Sequence, residues 1–237
     1  MRLAPFVSLA FLLLVTSPRP AMSAPFDGQA KLLLHVRAPI VQSPCAGHGA
    51  LGDCADAVTS GGITTPTEGP FHFVYLLAVH GTVATGLAEI RCGIDYQEGA
   101  AGAIGDRVGI DILAWRLCAT FDNVSTGVPE WPRPGSGNTI LWDLPESCQE
   151  GETGVAGYFY LGAYSADVLR LTFEPTSGTA SLRNCQSESV TLNTARDLGS
   201  AAFSPGGTEV GCNPCDLACD GIPVVPVTWG SIKSLFE

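Results

Sequence analysis

Positive charge is scarce in this chain: 12 lysines and arginines stand against 23 aspartates and glutamates, a formal charge of −11. Phosphate backbones are repelled by such a surface, which excludes nucleic acid as a partner. Long apolar runs are missing too. The one stretch of note, Leu3–Val15, is shorter than the roughly 20 residues needed to cross a hydrocarbon core, so no transmembrane helix is expected in the mature chain. A sustained helical period is absent ahead of the extreme C-terminus, and 28 glycines with 17 prolines argue against long helices. Chemical motifs are lacking as well. No His-Glu-x-x-His pair occurs, Ser136 is not framed by Gly-x-Ser-x-Gly, and no Lys-Ser or Lys-Thr follows Gly99, Gly102 and Gly105. Ser231-Ile232-Lys233-Ser234 does not follow the Ser-x-x-Lys order. No catalytic residue and no cofactor is assigned, and the chain is read as not an enzyme.

Cysteine is absent from the first 44 residues and then occurs nine times. Residues 1–23 have the parts of a secretory signal helix: Arg2, the apolar run, and small residues at Ala21 and Ser23. Cleavage is expected after Ser23. It removes Arg2 and Arg19 and no acid, so the excess of acids widens from 11 to 13. The mature protein is therefore expected to be secreted, periplasmic or on the cell surface, where thiols pair.

Apolar residues alternate with period two through most of the chain. Nine strands are expected: Ala30–Arg37, Phe71–His80, Ala88–Tyr96, Val108–Phe121, Thr139–Trp142, Val155–Tyr164, Leu169–Glu174, Thr179–Asn184 and Ser200–Phe203. Phe71–His80 is apolar on both faces and is expected to be central. Val108–Phe121 is long enough to suggest a bend or bulge midway. Val155–Tyr164 and Leu169–Glu174 read as a consecutive pair. The whole predicts an antiparallel, Ig-like β-sandwich of about eight or nine strands over residues 24–220, stapled by disulfides. A Pro-containing linker and short tail follow over 221–237.

Nearest spacing suggests the bridges Cys45–Cys54, Cys118–Cys148 and Cys185–Cys215, with Cys212 and Cys219 as a further staple near the tail. Zinc held by Cys185, Cys212, Cys215 and Cys219 is the alternative, but only Cys212-x-x-Cys215 has the form of a ligand pair. Cys92, between Ile90 and Ile94 on an apolar strand face, is the expected buried free thiol.

His35, His72 and His80 fall on adjacent strands and are read as core or edge residues rather than metal ligands. Asp95, Glu98, Asp106 and Asp111 carry oxygen ligands suited to Ca²⁺, but no EF-hand spacing joins them and they are read as solvated acids. Trp131 and Trp142, each beside an acid near Pro-rich turns, are candidates for stacking on a sugar ring. In the tail, Trp229, Ile232 and Phe236 share one helical face; with Lys233 they form a candidate sorting element.

Three stretches taken together, Gly93-Ile94-Asp95-Tyr96 with Gly109-Ile110-Asp111-Ile112 and Trp115–Thr120, then Val155–Tyr160, then Gly211-Cys212-Asn213-Pro214-Cys215, resemble a group of exported bacterial proteins of uncharacterised activity. The tail Thr228–Phe236 resembles a short C-terminal element of exported proteins from similar bacteria. The strand, Gly-rich turn and strand ending in Asp-Tyr resemble cohesin-like and carbohydrate-binding sandwiches. These readings imply an exported, non-catalytic binding or surface-structural module, whose partner would be a cell-surface or extracellular polymer. The alternative is a polysaccharide-directed hydrolase or carbohydrate-binding protein.

Overall fold

The computed structural model describes residues 30–40, 42–46, 51, 53–64, 71–79, 85–97, 105–126, 129–151, 153–193 and 196–216. The expected signal segment (1–23), the expected linker and tail (221–237), Cys219, Glu98, His48 and His80 lie outside them. Twelve strands are described: β1 Lys31–Arg37, β2 Ser60–Gly62, β3 His72–Val79, β4 Glu89–Asp95, β5 Ile110–Leu117, β6 Phe121–Val124, β7 Gly137–Leu141, β8 Thr153–Ala163, β9 Asp167–Thr172, β10 Ala180–Arg183, β11 Ser189–Leu192 and β12 Ser200–Ser204. The smaller sheet runs β1-β3-β8-β5. The larger runs β11-β10-β4-β9-β12-β2, with β7 on the other side of β4 and β6 on β7. Every strand pairing is antiparallel except β12 with β2. No helix among the described residues is long and apolar enough to cross a membrane.

The two sheets face each other across one core. It takes Leu32, Leu34 and Val36 from β1, Val74 and Leu76 from β3, and Phe159 and Leu161 from β8. Opposite them stand Ile90, Cys92 and Ile94 of β4, Leu169 of β9, Leu182 of β10 and Phe203 of β12. A second cluster, Leu33, Phe73, Tyr75, Leu77 and Val79, lies on the outer face of the small sheet. The β1–β2 connection covers part of it through Ile40, Leu51, Cys54 and Ala57. This explains why all eight residues of β3 are buried: the sandwich takes one face and the connection takes the other.

Two bulges set which side chains face outward. In β5 the register slips between Ile112 and Ala114, and Leu113 is left 42% exposed. Strict alternation from Ile110 and Ile112 would turn Ala114 and Arg116 inward. The extra residue instead sends Trp115 and Leu117 to the core and Ala114 and Arg116 to the outer face. In β8 the register slips at Ala156, opposite Leu76 and Leu77. Val155, Tyr158 and Tyr160 consequently lie outward while Phe159 and Leu161 lie inward. Gly157 sits under Trp115, and a Cβ there would stand 2.5 Å from the indole and from the Arg116 carbonyl oxygen.

The expected long strand Val108–Phe121 is two strands in opposite sheets, and Phe121 is 48% exposed rather than in line with Trp115. The chain turns at Cys118–Thr120, where Cys118 and Ala119 donate N–H to the Ala156 carbonyl and Thr120 to Leu141. Likewise β8 and β9 are consecutive in sequence but belong to opposite sheets. The short strands β2 and β11 went unforeseen because three or four Ser-, Gly- and Thr-containing residues carry no apolar alternation.

Candidate functional site

The disulfides join distant segments rather than nearest neighbours. Cys45 bonds Cys118, Cys54 bonds Cys215, and Cys148 bonds Cys185. The expected pairs Cys45–Cys54, Cys118–Cys148 and Cys185–Cys215 are therefore corrected. The physical reason is the path of the β1–β2 connection. It crosses the outer face of the small sheet, carrying Cys45 to the end of β5 and Cys54 to the returning C-terminal segment. Cys148 and Cys185 meet over Gly86, where a Cβ would collide with both sulfurs and the backbone adopts φ of 61°. Cys212 is also disulfide-bonded.

Cys92 is a buried free cysteine. It faces Asn138 across β4 and β7, and burial, then the charge of Glu174, push its thiol up to about 12. A thiol so far from its thiolate is a poor nucleophile. Alkylation of the native protein at neutral pH should leave Cys92 unmodified, whereas guanidinium should expose it to complete reaction. Peptide mass mapping reads the difference, and rapid native labelling would contradict the burial.

The two tryptophans offered as stacking platforms are core residues. Trp131 is 7% and Trp142 4% exposed. Trp131 meets Trp115 edge-on at 5.4 Å and Phe159 at 5.6 Å. Neither presents a ring to a ligand, because both belong to the hydrophobic cluster between the sheets.

His35 and His72 point to opposite faces of the small sheet. Nδ1 of His35 accepts the Val58 N–H at 3.0 Å, while Nε2 of His72 lies 2.9 Å from the Gly62 carbonyl oxygen. Burial lowers the His72 pKa, against the opposing hydrogen bond to Gly62. The acids near residue 106 serve turns. Asp106 accepts the Val108 N–H and Asp111 the Arg107 N–H. Asp167 gathers the N–H groups of Gln97, Ile110 and Val168 at 2.8–3.2 Å. Among the described residues no group of three potential ligands is placed to hold a metal.

What the fold does bring together is a set of aromatic rings on the outer face of the small sheet. Strand register builds two rows. Arg37, Phe73, Tyr160 and Ala114 form one; His35, Tyr75, Tyr158 and Arg116 form the next. Ring centroids are 4.6 Å apart for Phe73–Tyr158, 5.6 Å for Phe73–Tyr160 and for Tyr75–Tyr158, and 5.4 Å for Phe71–Tyr160. Tyr75 is fully buried and donates its hydroxyl to the Pro44 carbonyl at 2.9 Å. Tyr158 and Tyr160 are only half-buried. The small side chain of Ala114 leaves a gap beside them, and the result is a groove of about 350 Å³ lined by Pro39, Ile40, Phe73, Ala114, Arg116, Tyr158 and Tyr160.

Sequence reasoning placed these residues on strands but not in a site. The signal was there in Phe71-His72-Phe73-Val74-Tyr75 and Tyr158-Phe159-Tyr160, five aromatic residues at alternate positions. Finding the groove also required knowing that β3 and β8 are neighbours. A larger groove, about 460 Å³, lies on the outer face of the larger sheet between Val58, Ser60, Arg170, Ala202, Val210 and Asp216. It contains no aromatic ring, and its lining mixes small polar and aliphatic groups.

The chain is thus an all-β, disulfide-stapled sandwich with an aromatic groove on its smaller sheet. No family model matches it, and no curated protein matches it. Among solved structures it is similar to a cohesin module from a family 33 glycoside hydrolase of Clostridium perfringens, at 9% identity and a TM-score of 0.41, over 74% of this chain and 98% of that one. It is also similar to a chain of a type I cohesin–dockerin complex from Clostridium thermocellum, at 11% identity and a TM-score of 0.38, over 62% and 91%. Likeness at this level says nothing about a ligand, and the sandwich assignment rests on the strand pairings themselves.

Proposed function

We propose that this chain is an exported, non-catalytic binding module that holds a saccharide unit of an extracellular or cell-surface polymer in the aromatic groove. The observation that carries the reading is the pair of half-buried rings, Tyr158 and Tyr160, beside the gap at Ala114. The C–H face of a pyranose is apolar and weakly positive, and it packs on the electron-rich face of an aromatic ring. The rings are already fixed by contacts with Phe71, Phe73 and Tyr75, so binding costs little side-chain ordering.

The acids support the non-catalytic part of the reading. Glu89 pairs with Arg91 and Arg183, Asp197 with Lys31, and Asp122 accepts hydrogen bonds from Trp115 and Asn138. Among the described residues no acid lines the groove, whereas glycoside hydrolysis needs two facing carboxyl groups. The three disulfides that join described residues favour an oxidising compartment.

A glycan array followed by NMR titration tests the proposal. Tyr160→Ala should weaken the best saccharide by about tenfold or more, the effect of removing a central aromatic contact. Tyr160→Phe should bind like the parent, since the face is retained. Absence of saccharide binding by the parent, or an unchanged affinity in Tyr160→Ala, would overturn it.

A further inference from the structure

Resting on that saccharide reading, we infer that the groove selects an acidic sugar, with the ring on Tyr158 and Tyr160 and the sugar carboxylate on Arg116. Arg116 is exposed, lines the groove and stands directly opposite Tyr158 across β5 and β8. It has no ion-pair partner among the described residues, although the chain carries 23 acids. Lys31 pairs with Asp197, and Arg91 and Arg183 with Glu89. Arg107, Arg133, Arg170 and Arg196 also have no ion pair among the described residues, but Arg116 is the one basic residue lining the aromatic groove. An arginine left without a carboxylate in an acidic protein, beside aromatic rings and away from any acid in the groove, is complementary to an anion brought by the ligand.

Its geometry fits a carboxylate in particular. The guanidinium fork can donate two parallel hydrogen bonds to the two oxygens. Arg116 and Phe73 lie two strands apart, about 10 Å at the usual strand spacing, so a ring stacked between them places an equatorial substituent toward the guanidinium. A peptide strand is a poorer occupant. It would add to the free edge of β5, and that edge is interrupted by the bulge at Leu113, a device that discourages strand addition.

The test compares a galacturonate oligosaccharide with its methyl ester, which keeps the ring and removes the charge. Isothermal titration of the full exported protein should show the acid form binding about tenfold tighter, as expected for a hydrogen-bonded charge pair at a partly open site, with the gap narrowing at high salt. Arg116→Gln should erase the preference by weakening the acid form about tenfold while the ester loses much less, and Arg116→Lys should restore only part of the preference. Equal binding of acid and ester, or a preference that survives Arg116→Gln, would overturn the acidic-sugar inference and leave the saccharide reading standing. Failure to bind either form or any neutral glycan would overturn both.

Discussion

Replacing Cys54 and Cys215 by alanine is expected to lower the unfolding free energy by about 4–5 kcal/mol, the largest loss expected among the bridges Cys54–Cys215, Cys45–Cys118 and Cys148–Cys185. The bridge joins residues 161 apart in sequence, against 73 for Cys45–Cys118 and 37 for Cys148–Cys185. Chain-entropy reasoning ranks the three in that order, because the longer loop gives up more freedom in the unfolded chain. The folded side adds to the effect. Cys54 and Cys215 both pack into the outer cluster with Tyr75 and Leu77. Around them, Asn213 donates through Nδ2 to the carbonyls of Cys54 and Ala55 at 2.9 and 3.2 Å and accepts the Cys215 N–H at 3.0 Å. Asp53 and Asp56 cap the turn that begins at Cys54. Urea unfolding of the double alanine variant reads the loss, set against a typical domain stability of about 5–15 kcal/mol. A decrease below about 1 kcal/mol would show that the outer layer holds without its cross-link.

Glu174→Gln is expected to cost about 3 kcal/mol at neutral pH and to flatten the acid limb of the stability profile. Glu174 follows β9 and is 4% exposed. Burial opposes its charge, but the carboxylate accepts hydrogen bonds from the Ser125 hydroxyl, from the Thr176 N–H at 2.8 Å and from the Ser177 N–H at 2.7 Å. Together with the Ser177 side chain these outweigh the desolvation and hold its pKa at about 2, against an ordinary 4.5. The folded value is depressed, so the stabilisation is fully present above pH 4.5 and is lost as pH falls through about 2. A glutamine can keep its carbonyl oxygen toward the Ser125 hydroxyl and the Thr176 N–H, but its amide then meets the Ser177 N–H donor to donor, and the remaining bonds lose their charge assistance. Denaturant midpoints taken from neutral pH down to the acid limb separate the two proteins. Parallel profiles for parent and variant would refute the role of this carboxylate.

Strand alternation made much of the sandwich legible. β3 is central and apolar on both faces, as Phe71–Val79 alone implies, and β4 has the half-buried pattern of Ile90, Cys92 and Ile94 against Glu89, Arg91 and Asp95. A bend or bulge within Val108–Phe121 was foreseeable from its length, but the turn at Cys118–Thr120 and the slip between Ile112 and Ala114 were not. That slip decides whether Arg116 faces the core or the groove. Trp131 and Trp142 misled for a related reason: a tryptophan beside prolines and acids looks exposed in sequence, and only the packing of Trp115 and Phe159 shows where the ring goes.

The sequence by itself determined the local quantities: which residues form strands, which faces are apolar, and that Cys92 is flanked by core residues on its strand. These depend on neighbours one or two positions away, which the chain order records. Tertiary structure alone decided the partners of the cysteines, the assignment of β5 and β6 to opposite sheets, and the meeting of Phe73, Tyr158, Tyr160 and Arg116. Those depend on a one-residue slip in register and on which strands lie side by side, and both are set by how the whole core closes rather than by any short segment.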